Sequence, residues 1–261
     1  MNAPAEEMLV VEEQGEGVIL LRLNRPDKRN ALATQLLAMI ADALVKCAED
    51  PDVRCAVITG SDRIFAAGAD IAELAGKDVA GALADRRPVL WAVIRDFPKP
   101  LVAAVEGWCL GAGNELLMCC DIAVAGSSAK FGQPETNLGI IPGAGGTATL
   151  PRLIGRAAAM KMVLLGEPID AETALSLGLI AEVQTEGRAL DRALVIAKTI
   201  ADRAPLAMRQ GKAMINAAFD LPHGSHLRAE RQAFAALFGS LDRTEGIAAF
   251  QEKRSPLWRG S

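Results

Sequence analysis

Residues 102–153 read VAAVEGWCLGAGNELLMCCDIAVAGSSAKFGQPETNLGIIPGAGGTATLPRL, and this stretch decides the fold. It opens on an apolar run, LVAAV from Leu101, suited to a strand buried on both faces. A turn rich in glycine follows, with Gly107, Gly111 and Gly113. NELLMCC then reads as a helix opening directly after the turn, which leaves backbone N–H groups free at its start. Asp121 to Ala125 reads as the next strand. Beyond it come Phe131-Gly132-Gln133-Pro134-Glu135 and a second group of glycines at 139, 143, 145 and 146. Two carboxylates, Glu115 and Glu135, stand out in these apolar surroundings.

Outward from that stretch, the chain alternates strands and helices. Residues 8–23 read as two strands around a turn at 14–17. Residues 31–50 have helical spacing, with Leu32, Leu36, Leu37, Ile40 and Leu44 near one face. CAVIT at 55–59 is a short buried strand. Phe65-Ala66-Ala67-Gly68-Ala69-Asp70 is a loop of small side chains that lets a ligand approach the backbone. Asp70 would cap the next helix, with Glu73 as the partner in a capping box; a tight turn with a capping aspartate is the plainer reading. Residues 77–97 read as one helix, 157–165 and 168–177 as two more, and 180–183 as a last strand. After that, 187–202, 205–219, 224–239 and 242–251 all read as helices, broken at Pro205, Pro222 and Gly239. The pattern predicts a layered α/β body with a helical tail.

The 261 residues are 51% hydrophobic and 23% charged, with a formal charge of −4, which describes a globular chain with ample core. No basic block favours nucleic acid. No apolar run reaches membrane-spanning length, and the N-terminus MNAPAEE lacks the features of a signal peptide, so the expected location is the cytoplasm. The five cysteines make no disulfide framework and suit a reducing compartment. His223 and His226, without a nearby cysteine, give little support for a zinc site. No phosphate-binding loop or GxSxG elbow occurs, and IPGAGG lacks the ribose-binding acid of a dinucleotide fingerprint. Two carboxylates and free amides remain. The carboxylates can serve as general acid and base where their environments differ. Two amides aimed at one oxygen make an oxyanion hole. The plainer reading makes Glu115 a helix-start carboxylate and Glu135 a surface loop residue.

The chain resembles the enoyl-CoA hydratase/isomerase (crotonase) family across nearly its whole length. The resemblance rests on LNRPDKRNAL at 23–32, FAAGADI at 65–71, AAVEGWCLGAGNELLMCCDIAVA at 103–125, FGQPETNLGIIPGAGGTATL at 131–150 and AFQEKRSP at 249–256. It implies a spiral core of repeated ββα units over 1–195, and a C-terminal helical region over 196–261 that drives trimers, usually paired as hexamers. It implies hydration of a trans-2-enoyl-CoA, with CoA as part of the substrate and no metal or redox cofactor. Ala67 and Ala112 would supply the oxyanion amides; many relatives have glycine at the second position. Glu115 and Glu135 match the catalytic pair. The Gly143 amide would approach the second glutamate. Ala66, Gly68, Ala69 and Asp70 would line the acyl-CoA loop beside Gly111, and Lys253 would lie near the CoA phosphate.

Family members that only isomerise a double bond commonly lack one glutamate, so the pair favours a hydratase over an isomerase or a non-catalytic RNA-binding or scaffolding relative. Residues 87–92, RPVLWA, also resemble the corresponding stretch of a phenylacetate-pathway subfamily acting on 2,3-dehydroadipyl-CoA, whose acyl chain ends in a carboxylate. Arg86 or Arg87 would pair with that group; the alternative leaves both arginines solvated on the helix exterior.

Overall fold

A computed structural model describes residues 7–261; the reading of the N-terminus falls on residues 1–6, outside the described residues. Strands β1 (Leu9–Glu13) and β2 (Val18–Leu23) form an antiparallel hairpin. The turn between them runs through left-handed Gly15, Glu16 and Gly17. Helix α1 (Thr34–Glu49) buries Leu36, Leu37, Ile40 and Leu44, the face given by its spacing. Strand β3 (Cys55–Thr59) follows, then the short β4 (Ile64–Ala66).

Residues 77–97 do not form the single helix that their apolar side suggests. The chain makes α2 (Ile71–Ala75), α3 (Val79–Leu83) and α4 (Arg87–Arg95). Asp78 caps α3 by accepting from the Gly81 N–H, and Pro88 sits in the first turn of α4. A proline is tolerated there because it has no N–H to leave unpaired. The capping box also fails. Asp70 caps α2, but Glu73 turns away and accepts from the Thr34 N–H at 2.9 Å and its hydroxyl at 2.7 Å, serving the start of α1 instead.

The organising stretch forms β5 (Leu101–Val105), β6 (Trp108–Leu110), α5 (Ala112–Leu117), β7 (Ile122–Gly126) and β8 (Lys130–Gly132). A 3-10 turn over Glu135–Leu138 leads to α6 (Gly146–Leu165). This helix begins well before residue 157 and is interrupted at Gly155, whose φ of 77° lies in the left-handed region. Next come β9 (Ile169–Asp170), α7 (Ala171–Leu177) and β10 (Glu182–Gln184). The tail is α8 (Ala189–Ala201), α9 (Pro205–Ala217), α10 (His223–Leu237) and α11 (Leu241–Glu252).

Among the described residues the strands make two sheets, ordered β1-β2-β3-β5-β7-β10 and β4-β6-β8-β9. The repeat is visible in that order. β3, β5 and β7 are parallel neighbours in the large sheet, and β4, β6 and β8 are parallel neighbours in the small one. Each ββα unit therefore adds one strand to each sheet. β3 and β5 are buried along their whole length, as parallel strands covered on both faces must be. One cover is α8, whose Ala189, Ala193, Ala197 and Ala201 pack on Val57, Val102 and Val124. The other is the main core around α1, α4 and α5.

Lys212 ties α9 to this body. Its ammonium lies 2.8 Å from Asp121, donates to the Lys99 carbonyl and sits over the Phe97 ring. No helix among the described residues is long and apolar enough to cross a membrane.

Candidate active site

The small sheet positions the site. β4, β6 and β8 end side by side: Ala66 pairs with Cys109, and Leu110 with Gly132. The three segments that follow are FAAGAD, GAGNE and QPE, and they meet. Gly113 lets α5 close on β4, since a Cβ there would stand 2.3 Å from the Ala66 carbonyl oxygen. Gly111 has φ 50°, and a Cβ on it would lie 3.6 Å from the Gly68 Cα and 3.1 Å from Glu135 Oε1. Only glycine combines that backbone with that clearance.

A cavity of about 250 Å³ opens at this junction. Ala67, Gly68, Ala69, Gly111, Ala112, Glu115, Glu135 and Gly143 line it, among the residues singled out from sequence. The others stand apart. Ala66 is fully buried beneath Gly113. Asp70 caps α2 and pairs with Arg25 at 3.0 Å. Lys253 is exposed at the left-handed end of α11, outside the lining of this cavity. A second cleft of about 630 Å³ lies between the β1–β2 turn and the C-terminal residues around Trp258, and neither glutamate reaches it.

The free amides differ from the expectation at one place. The Ala67 N–H donates to the Arg29 carbonyl at 3.0 Å and is spent within the fold. Leu32 bridges residue 69 in parallel fashion, with the Leu32 N–H on the Gly68 carbonyl and the Asp70 N–H on the Leu32 carbonyl. Backbone groups alternate in direction along an extended segment. The intervening Ala69 N–H therefore faces away from Leu32, and among the described residues it has no backbone acceptor. The Ala112 N–H, at the first position of α5, has none either. Both Ala69 and Ala112 line the cavity, so each brings a backbone N–H without a backbone acceptor to its wall.

The carboxylates sit in unlike environments. Glu115 is 4% exposed, and its Oε1 accepts from the Ala144 N–H at 2.7 Å and the Gly146 N–H at 2.8 Å. The IPGAGG loop thus presents its amides to the first glutamate, one and three residues beyond Gly143, rather than to the second. Arg95 on α4 holds that loop by donating to the Ala144 carbonyl at 3.0 Å. Burial pushes the Glu115 carboxyl above its ordinary range, opposed by the two amides and by the charges of Arg87 and Arg95. Glu135 starts the 3-10 turn. Burial raises it to about 7, and the nearby Glu115 charge adds to the rise. Gln133 is fully buried, and with its amide nitrogen turned to Glu135 it donates to both oxygens at 3.0 and 3.1 Å.

Sequence reasoning missed Gln133, the Ala144 and Gly146 amides, Arg95, and the Ala69 amide. Gln133 stood in the quoted motif as a polar residue between Phe131 and Glu135, yet only the fold brings it onto the carboxylate. Chemically, the site offers two amides that can hold one oxygen, a buried carboxyl that accepts from two backbone N–H groups, and a second carboxyl that titrates near neutrality.

That combination has the parts that acid–base chemistry beside a polarised carbonyl requires. The sequence profile described as enoyl-CoA hydratase/isomerase matches residues 13–261. The chain is 46% identical over 252 residues to a 2,3-dehydroadipyl-CoA hydratase of Escherichia coli, covering 97% of this chain and 98% of that one. It is 41% identical over 251 residues to a probable enoyl-CoA hydratase of Mycobacterium bovis, covering 96% and 97%. Among solved structures, an enoyl-CoA hydratase from Geobacillus kaustophilus superposes with a TM-score of 0.94 at 38% identity, covering 98% of this chain and 99% of that one. One from Bacillus anthracis gives 0.92 at 34% identity, covering 98% and 100%. The chain belongs to the enoyl-CoA hydratase/isomerase family, the crotonase fold, and is an enzyme of the hydratase type acting on enoyl-CoA.

Proposed function

We propose that this enzyme adds water across the 2,3 double bond of a trans-2-enoyl-CoA to give the 3-hydroxyacyl-CoA, through Glu115, Glu135 and the amides of Ala69 and Ala112. The observation that carries the reading is the unequal pair of carboxylates on one cavity. The thioester oxygen accepts from the two amides, which favours negative charge there as the enolate forms. Glu115, whose Oε1 accepts from the Ala144 and Gly146 amides, takes the proton of the water that attacks C3. Glu135, protonated below about pH 7, gives its proton to C2. The two titrate as a coupled pair. Water adds one proton and one hydroxyl overall, and the glutamates return to their starting states by exchanging a proton.

By its name, one relative acts on 2,3-dehydroadipyl-CoA. We carry that substrate to this chain as a proposal. The free, mostly buried cysteines support a reducing compartment, the cytoplasm. The half-exposed Phe219, Phe234, Phe238 and Ile215 of the tail support a subunit interface over α9 to α11, as in a trimer or a pair of trimers.

The test is loss of the enoyl-thioester absorbance with purified enzyme, in parallel with infrared spectra of crotonyl-CoA bound to the Glu115→Gln variant. A thioester carbonyl stretch lowered on binding, together with lost turnover, is the expected result. An unshifted carbonyl would remove the two-amide hole from the mechanism.

A further inference from the structure

We propose that Arg87 is the receptor for a carboxylate at the far end of the acyl chain, so that the preferred substrates are CoA thioesters of 2-unsaturated dicarboxylic acids; this rests on the hydratase reading above. Arg87 lines the same cavity as Glu115 and Glu135. Its side chain is 14% exposed, and its Nη1 is buried without a hydrogen-bond partner among the described residues. A guanidinium carries five donors and cannot shed its charge, so an orphaned nitrogen in a buried position is costly.

The neighbouring acids do not satisfy it. Glu73 lies 3.9 Å from Nη1 and accepts its hydrogen bonds from Thr34. Asp85 lies 3.8 Å from Nε, accepts from the backbone N–H of Arg87 and pairs with Lys77. Both separations exceed hydrogen-bond reach.

Trp91 lines the cavity one helical turn after Arg87, and Leu74, Ala82 and Pro88 complete an apolar wall on that side. The oxyanion amides and the glutamates occupy the side built from β4, β6 and β8. An acyl chain with its thioester on those amides runs toward α4. A terminal methyl group would set hydrocarbon against a guanidinium whose two acidic neighbours stand beyond hydrogen-bond reach. A terminal carboxylate would meet a planar donor fork that it can fill with two parallel hydrogen bonds. Arg86, the other candidate from sequence, is exposed and absent from the cavity wall.

The experiment compares two six-carbon substrates, 2,3-dehydroadipyl-CoA and 2-hexenoyl-CoA, on the wild-type enzyme and on Arg87→Met, Arg87→Lys and Arg86→Met. Dissociation constants for the unreactive adipyl-CoA and hexanoyl-CoA are measured alongside. The wild type is expected to favour the dicarboxylic member of each pair by about 10- to 100-fold, the range for one charge-assisted pair. Arg87→Met should collapse that ratio, Arg87→Lys should restore part of it, and Arg86→Met should leave it at the wild-type value. Equal binding of adipyl-CoA and hexanoyl-CoA by the wild type overturns the assignment, whether or not the variants fold. So does an Arg87→Met variant that keeps the ratio while weakening both ligands alike. Selective binding of adipyl-CoA with hydration of neither substrate would instead overturn the hydratase reading and leave Arg87 as a carboxylate receptor.

Discussion

Gly111 leaves room for the Glu135 carboxylate: a single methyl group added to Gly111 would stand 3.1 Å from the Glu135 Oε1. The backbone at Gly111, φ 50° and ψ −124°, is also one that residues with a side chain rarely adopt. Gly111→Ala is therefore expected to displace the carboxylate and strain the loop that carries the Ala112 amide. Steady-state kinetics should show kcat lowered by about 100-fold or more, the scale of losing one oxyanion donor. Near-normal kcat would mean that the loop relaxes without moving Glu135.

Glu115→Gln and Glu135→Gln should each lower kcat by about 10²- to 10⁴-fold, the usual worth of a general acid or base. A loss under tenfold in both variants would sink the two-carboxylate mechanism.

The pH dependence follows from Glu135. Its folded pKa, about 7, lies above its ordinary value, so the folded state holds this proton more tightly than the unfolded chain. Stability from this group is complete at acid pH and declines as pH rises through about 7. Activity that needs the protonated acid should fall over the same interval in a kcat/KM profile. Glu135→Gln removes the buried charge, and its Tm at pH 8 should exceed that of the wild type by on the order of 2 °C. A lower Tm for the variant at pH 8 would contradict the assignment of the raised pKa to burial.

Lys212→Ala tests the clamp on the tail. It leaves Asp121, whose carboxyl is already raised by burial, without its cation. The expected cost is about 2 kcal/mol by denaturant unfolding, below the ~3–5 kcal/mol of a fully buried pair because Asp121 retains some solvent contact. An unchanged unfolding midpoint would show that α9 is held by its apolar contacts alone.

The large sheet was legible because β3 and β5 are unbroken apolar runs and α1 keeps a strict helical period. The small sheet was not. β4, β6 and β8 are three residues each, too short for any period to register. Their pairing is set by tertiary contacts such as Gly113 on Ala66. The same reason explains the loop at 65–70. In FAAGAD every residue is small, and nothing in the composition tells the Ala67 amide from the Ala69 amide. The difference arises from Arg29 and Leu32, far earlier in the chain, whose carbonyls take the Ala67 and Asp70 amides, with Gly68 at φ 124° turning the backbone between Ala67 and Ala69. Residues 77–97 misled because Val89, Leu90 and Val93 continue an apolar helical side, while Asp78 and Pro88 supply two fresh starts.

The side-by-side ends of β4, β6 and β8 have a consequence for how this enzyme tolerates change. Neighbouring strands are about 4.8 Å apart, so the segments bearing the Ala69 amide, the Ala112 amide with Glu115, and Glu135 are spaced by hydrogen-bond ladders rather than by the long connections between them. An insertion in the α2–α4 connection lengthens the path from one segment to the next without altering their separation. The acyl-facing wall, which that connection carries, can diversify while the reacting atoms stay in register.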